Sequence, residues 1–429
     1  VKTNEQVWGE PYNVPYTTDA VFDLQARVAK KVAASIGAVI TPLEEKRIDS
    51  RHLVPIEALS FLMRGRSEIS YYWNGLGRHH LDKAMDLYNQ ALAIDPEYAF
   101  ALASKGEVFL HRDQNFDSTI YYCKKAIKLD PEESYGYRVL GNCYQKMEIF
   151  DLSLENFLKT IELQPNDPGA HMNLGYLYIT KKQDVVKGLP YLKRSIELQP
   201  LRELDYLIAS ECYFYIGDYE KAKEHAMKSF IFGDVYTGWA IQIYNQTLAR
   251  QNKTRERLQF LDSICNITNR KDICNKAYWY LNLDMNDFEQ AEKDYDQLIE
   301  AGGGLQLHDS ILLANMYKQL GRNEDYQMTI NYCRTRYEDL FDDNKENFDA
   351  IGSLLNIYAI LDEKEKALKY LSEFEKTGFH FSTFDFIELS PIFENISDDP
   401  EFKAIIRRVH EKKAVMKAQI REMEADGRL

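Results

Sequence analysis

The residues best suited to chemistry in this chain are scattered, and none falls into a reactive set. The adjacent pair His79-His80 comes nearest to a metal site. Neighbouring residues on a helix point to different faces, so these two imidazoles do not converge on one ion. Gly302-Gly303-Gly304 suggests a phosphate loop, but no strand pattern precedes it and no Lys-Ser/Thr follows. His410-Glu411 runs on into Lys412-Lys413-Ala414 and does not complete the zinc motif H-E-x-x-H. No G-x-S-x-G nucleophile turn occurs. The six cysteines are Cys123, Cys143, Cys212, Cys265, Cys274 and Cys333. None forms a C-x-x-C pair. Most sit at apolar helical positions, so they read as small hydrophobes in a core and lean towards a reducing compartment. The expectation is a protein that is not an enzyme, with no catalytic residue, no metal and no cofactor.

What the sequence does carry is a repeat. The stretch Ser134–Pro165 is a helix, a turn and a second helix closed by proline. Its ending recurs as Ala93-Ile94-Asp95-Pro96, Ile127-Lys128-Leu129-Asp130-Pro131, Ile161-Glu162-Leu163-Gln164-Pro165 and Ile196-Glu197-Leu198-Gln199-Pro200. The prolines lie 35, 34 and 35 residues apart. Gly106, Gly141 and Gly175 keep step, each followed three residues later by an aromatic residue, Phe109, Tyr144 or Tyr178. Small residues recur in the second helix at Ala84, Ala91, Ala126, Ser153 and Ser195. Each landmark has a physical job. A small residue lets the partner helix approach to roughly 8–10 Å. The aromatic fills the gap beside it. Proline lacks an N–H and pushes the residue before it out of helical geometry, so it ends the second helix.

Period, small residues, aromatic and proline together resemble the tetratricopeptide repeat. The resemblance implies an all-α solenoid of stacked helical hairpins, in which each repeat packs only on its neighbours. About nine helical pairs are expected between Pro55 and Gly378, with the pair at 236–268 the least regular. The family's first helices line a concave groove. Carried over, its floor would include Tyr135, Arg138, Asn142, Gln145, Asn173, Tyr176, Glu211 and Phe214. Some members hold a peptide's C-terminal carboxylate with five polar residues. Arg138, Asn142 and Asn173 fall on three of those positions, with Arg where the family has Lys. Leu204 and Ile208 fall on the other two and cannot bind a carboxylate. What remains is a site for an extended peptide: Arg138 for a carboxylate or carbonyl, Asn142 and Asn173 for backbone amides, tyrosines for stacking.

The composition agrees with a binding role. The 429 residues carry a net charge of −14, which disfavours nucleic acid, whose affinity comes from phosphate neutralisation. The charge would suit a partner with basic patches. The hydrophobic fraction is 45%, and no run of 18 apolar residues occurs, so no membrane span is expected. Tyrosine is abundant, at 29 residues, and fits either repeat packing or a half-apolar groove.

The two ends depart from the repeat. Gln6–Glu10 reads as a short strand. Asp19 reads as the N-cap of a helix ended by Gly37, and Thr41-Pro42-Leu43-Glu44 opens another. Trp8, Tyr12, Phe22, Gln25, Ala29, Glu44, Ala58, Leu62, Arg64 and Gly65 resemble a bacterial arrangement in which a TolB-like domain runs into tetratricopeptide repeats. That resemblance implies a remnant of a TolB-like α/β domain at 1–50, a solenoid at 55–379 and a C-terminal capping segment at 380–429. It also implies the sensory or regulatory part of a signalling or transcription-regulator protein. The chain begins with valine and reads as a piece of a longer one, so the compartment stays open between cytoplasm and periplasm. The final helix carries Phe402, Ile405, Ile406, Val409, Met416, Ile420 and Met423 at helical spacing, with Lys403, Arg407, Arg408, Lys412, Lys413, Lys417 and Arg421 around them. It reads as a cap on the last repeat. Alternatively, its basic amphipathic character suits a membrane surface or a dimer partner, the latter giving self-association into a homo-oligomer.

Overall fold

The computed structural model describes residues 54–73, 75–181, 184–233, 237–268, 270–345, 347–377 and 390–429, with single positions between 20 and 31 and at 387–388. The described positions between 20 and 31 are helical, inside the helix expected after Asp19. The strand at Gln6–Glu10, Gly37, the helix opened by Thr41-Pro42 and nearly all of the TolB-like remnant lie outside the described residues.

The chain divides into two compact units, Val1–Pro165 and Asn166–Leu429. In the first, α1 (Ile56–Trp73) pairs with α2 (His79–Ile94), α3 (Ala99–Arg112) with α4 (Phe116–Leu129), and α5 (Ser134–Lys146) with α6 (Phe150–Leu163). In the second, α7 (Pro168–Tyr176), prolonged by the π-turn Leu177–Lys181, pairs with α8 (Val185–Leu198). The pairs α9 (Glu203–Tyr215) with α10 (Tyr219–Phe232) and α11 (Thr237–Arg250) with α12 (Thr254–Thr268) follow. Next come α13 (Lys271–Asp284) with α14 (Phe288–Glu300) and α15 (Leu307–Gln319) with α16 (Asn323–Asp343). The last pair is α17 (Phe348–Ile360) with α18 (Lys364–Thr377). A one-turn helix α19 (Glu394–Ser397) and the long helix α20 (Pro400–Ala425) close the chain. Among the described residues there are thus nine helical pairs and no strand, the all-α architecture expected from the repeat.

The proline landmarks act as the sequence suggests. Asp95, Asp130, Gln164 and Gln199 stand just before Pro96, Pro131, Pro165 and Pro200. All four adopt nearly the same extended backbone, with φ of −132°, −136°, −136° and −141°. Side chains cap the next first helix where the chain re-enters: the Asp167 carboxylate accepts from the Ala170 N–H at 2.8 Å, and the Asn347 amide oxygen accepts from the Ala350 N–H at 3.0 Å.

The two helices of a hairpin meet at one close point. A Cβ on Gly141 would lie 2.6 Å from the Phe157 ring, and the Ser153 hydroxyl donates to the Gly141 carbonyl at 2.8 Å. The Thr119 hydroxyl donates to the Gly106 carbonyl at 3.1 Å in the hairpin before it. In the fifth hairpin the direction reverses, and the Ser210 hydroxyl donates to the Ala222 carbonyl at 2.9 Å. The sixth and seventh hairpins replace the small residue with a polar pair. Buried Arg257 donates to the Asn245 amide oxygen at 2.9 Å and to Asp284 at 2.8 Å, and Asn282 donates to Asp294 at 2.6 Å.

Two cysteines do not follow the expectation for core thiols. Cys265 on α12 and Cys274 on α13 are joined in a disulfide, with Cα atoms 5.6 Å apart. Successive hairpins bring them together across nine residues of sequence. Cys123, Cys143, Cys212 and Cys333 are free and buried, and burial pushes each thiol up from its ordinary range.

The close point gives a direct test. Gly141→Ala should cost the first unit about 1–3 kcal/mol in a urea titration, because the Phe157 ring is fully buried and has nowhere to go. Gly304→Ala, whose Cβ would meet nothing within 4 Å, should stay within about 0.5 kcal/mol. Equal effects from the two would show that the helix approach is not the constraint.

Candidate functional site

The eight residues expected on a groove floor fall in both units, and each unit is described separately. In the first, α5 supplies Tyr135, Arg138, Asn142 and Gln145. Tyr135 is buried, and its ring stacks on Phe100 of α3 at 4.6 Å between centroids with an interplanar angle of 16°. Its hydroxyl donates to the buried Glu107 carboxylate of α3. The Arg138 guanidinium lies over the Tyr135 ring at 4.6 Å. Asn142 and Gln145 are half-buried on the same helix. Arg66 of α1 also reaches the pair, 5.0 Å from the Phe100 centroid and 5.9 Å from that of Tyr135. Three successive first helices therefore build one cluster, a stacked aromatic pair with Arg66 beside both rings and Arg138 over Tyr135.

The electrostatics of this cluster are uneven. Burial and the Glu107 charge push the Tyr135 phenol well above its ordinary range, so it serves as a donor at neutral pH. Burial raises the Glu133 carboxyl, while the Tyr135 N–H that it caps and the charges of Arg66 and Arg138 pull it back. Arg66 is exposed, and no carboxylate among the described residues lies within ion-pair distance of it. Arg66, lying over the Phe100 face, keeps its N–H edge available for an acceptor.

In the second unit the expected floor is mostly closed. Eleven of the thirteen residues of α9 are buried, against eight of thirteen in α5. Phe214 is only 4% exposed and belongs to the core, packed beside Tyr219. Its side chain is part of that core and not open to a groove, because α9 is covered except at Leu204 and Glu211. Asn173 and Tyr176 of α7 are half-buried, and Tyr176 packs against the same core. Glu211 is half-buried, and burial alone pushes its carboxyl up to about 7. Burial raises the Tyr176 phenol, and the charges of Glu211 and Asp349 raise it further.

Arg66, Phe100 and Glu107 were missed by sequence reasoning, although a signal was present. Arg66, Glu107, Asn142, Tyr176 and Glu211 each follow the small residue of their repeat (Gly65, Gly106, Gly141, Gly175 and Ser210). Phe100 and Tyr135 each stand six residues before theirs. Extending the register back towards Pro55 would have found all three. Among the described residues no group of three or more His, Cys, Asp or Glu could hold a metal ion, and no helix is long and apolar enough to cross a membrane.

Comparison with known proteins agrees with the repeat. A stretch of 91 residues is 32% identical to the small glutamine-rich tetratricopeptide repeat-containing protein of Dictyostelium discoideum, covering 21% of this chain and 26% of that protein. The chain is built of tetratricopeptide repeats. No family model matches it. Its repeats are also similar to the anaphase-promoting complex subunit CDC16 of Saccharomyces cerevisiae, 26% identical over 32% of this chain and 16% of that protein. The mitochondrial import receptor subunit TOM70 of Rattus norvegicus is 24% identical over 33% and 24%. The repeat chain thus spans a quarter or less of the length of these two relatives. Among solved structures, Pseudomonas aeruginosa PilF aligns over 50% of this chain and 93% of its own, at 14% identity and a TM-score of 0.41. YrrB, described as a tetratricopeptide protein with an unusual peptide-binding site, aligns over 44% and 97%, at 20% identity and a TM-score of 0.36. None of the relatives named here is a TolB-like protein.

Glu211 makes a prediction about pH. A carboxyl that titrates higher when folded gives stability that is complete below about pH 4.5 and is lost as pH rises through 7. Glu211→Gln should therefore raise Tm by about 2–4 °C at pH 8 and leave it unchanged at pH 4. A pH-independent difference between the two proteins would reject the burial of this carboxyl.

Proposed function

We propose that the chain is a protein- or peptide-binding scaffold whose ligand surface lies on α1, α3 and α5 of the first unit. The carrying observation is the Arg66–Phe100–Tyr135–Arg138 cluster, in which two guanidinium groups lie against a stacked aromatic pair. An extended peptide would lay its backbone against the half-exposed Phe100, whose ring the buried Tyr135 backs. It would place carbonyls or carboxylates against the two arginines and backbone amides against Asn142 and Gln145. Tyr135 and Glu107 serve as positioning residues: their buried hydrogen bond fixes the ring on which both cations rest. Tetratricopeptide proteins commonly act as such scaffolds, and the import receptor and the YrrB peptide-binding site are consistent with that use.

The wider role in this reading is the sensory or regulatory portion of a bacterial signalling or transcription-regulator protein. Its support is the resemblance of the N-terminal segment to the stretch that joins a TolB-like domain to repeats. The closed α9 argues for placing the ligand in the first unit and not along the whole run of first helices.

A random peptide library displayed on phage and selected on the full chain provides ligands for the test. Arg66→Gln with Arg138→Gln should weaken a selected peptide by about tenfold or more in isothermal titration, with the helical circular dichroism unchanged. Glu211→Gln in the second unit should leave its affinity unaltered. Selected peptides that bind the double variant as tightly as the parent would move the site elsewhere.

A further inference from the structure

We propose that the surface formed by α8, α9, α10 and α18 is a docking site for a basic amphipathic helix, and that α20 is its built-in occupant. This does not depend on the ligand surface of the first unit. The observations lie within the second unit alone.

The contact is built like a recognition interface. Phe402, Ile405, Val409, Met416 and Ile420 of α20 are buried, and with Lys413 they form a stripe spaced three or four residues apart. The stripe joins the same apolar core as α8, α9 and α10 at one end of the unit and α17 and α18 at the other. Polar ties surround it. The Lys417 ammonium donates to the Gly217 carbonyl in the α9–α10 turn at 2.6 Å. Glu424 accepts from the Tyr213 hydroxyl at 3.4 Å and pairs with Lys221 of α10. Arg408 makes a two-pronged pair with Glu375 of α18, at 2.6 Å for each prong. His410 sits 3.0 Å from Glu388. Arg408 and Lys417 of α20 thus meet a carboxylate and a carbonyl on the receiving surface, and Glu424 of α20 meets its Lys221, which makes an apolar centre with a charged rim.

The middle of the stripe is the informative position. Lys413 is 9% exposed there, with its ammonium 4.9 Å over the Tyr215 ring. A polar residue inside an apolar seam is best known as a device that fixes register and partner choice at a cost in stability. The site therefore selects a helix with an apolar stripe, a cation at mid-stripe over Tyr215, and basic flanks. A partner presenting such a helix competes with α20. Its binding would part α18 from α8, α9 and α10. The buried stripe of α20 is covered within its own chain, so self-association through that stripe would require α20 to leave its place.

The test uses the full chain and a fluorescein-labelled peptide of residues 399–429. The parent chain, already occupied, should show no anisotropy change with this peptide. Lys413→Glu in the full chain should loosen α20, so that its amides exchange hydrogen faster while those of α1–α6 keep their rates. That variant should bind the peptide in the micromolar range. Adding Glu375→Arg should weaken the binding about tenfold, and a peptide with Arg408→Glu should recover it. The proposal is overturned if Lys413→Glu loses its helical signal as a whole, which would make α20 an inseparable part of the core. It is equally overturned if the loosened, folded variant ignores the peptide, or if the parent binds it as well as the variant does.

Discussion

The close approach of two helices at one small or paired position per hairpin is the interaction on which the other features rest. An isolated hairpin of this length buries too little to be stable, so each must present a flat, tightly closed pair to its neighbours. The chain meets that demand in two ways. Where the partners are Gly141 and Ser153, or Gly106 and Thr119, a missing Cβ makes room and a hydroxyl occupies the exposed carbonyl. Where the first helix carries Asn245 or Asn282, the approach is filled by Arg257 or Asp294, hydrogen-bonded and buried. The offset between partners is twelve or thirteen residues in every case, because the turn length is fixed even when the chemistry changes.

That change of chemistry explains what was legible in the sequence. The first four hairpins announce themselves through proline and glycine, whose effects are local and need no knowledge of neighbours. The region 236–268 looked irregular because Asn245 and Arg257 do the work of a glycine and a hydroxyl, and neither residue type signals a helix contact by itself. Turns were partly hidden for a similar reason. Gly217 and Gly321 mark two of them, but Gln114, Glu148, Asn252, Asn286 and Asp362 adopt the same left-handed backbone at equivalent turns. The Cys265–Cys274 bond was invisible because it depends on which faces of successive hairpins meet. The placement of α20 was harder still: Tyr213 and Glu424 lie 211 residues apart, and no periodicity reports such a distance.

The same register also shows why the two units differ in use. In the first, the residue after the small position is Arg66, Glu107 or Asn142, and the residue six before it is Phe100 or Tyr135 in the second and third hairpins. Arg66 stays exposed and Phe100 and Asn142 half-exposed, while the buried Tyr135 and Glu107 satisfy each other by a hydrogen bond. In the second unit, α9 sets Leu204, Leu207 and Phe214 along its length, and α17 is rich in Ile and Leu. Such faces cannot stay open to water without inviting association. They are covered, and ten of the thirteen residues of α17 are buried.

Covering an apolar face with the chain's own last helix imposes conditions on that helix. It must be long enough to reach from α18 to α10, and its 26 residues span about 39 Å. It must also settle in one register, since a stripe of Ile, Val and Met can slide by a turn with little change in buried area. Specificity then has to come from groups that tolerate only one placement. Lys413 over Tyr215, Lys417 on the Gly217 carbonyl and Arg408 astride Glu375 are such groups, spread over three turns. Each loses its partner if the helix shifts. Apolar burial thus supplies the attraction, and the basic residues decide where the helix comes to rest.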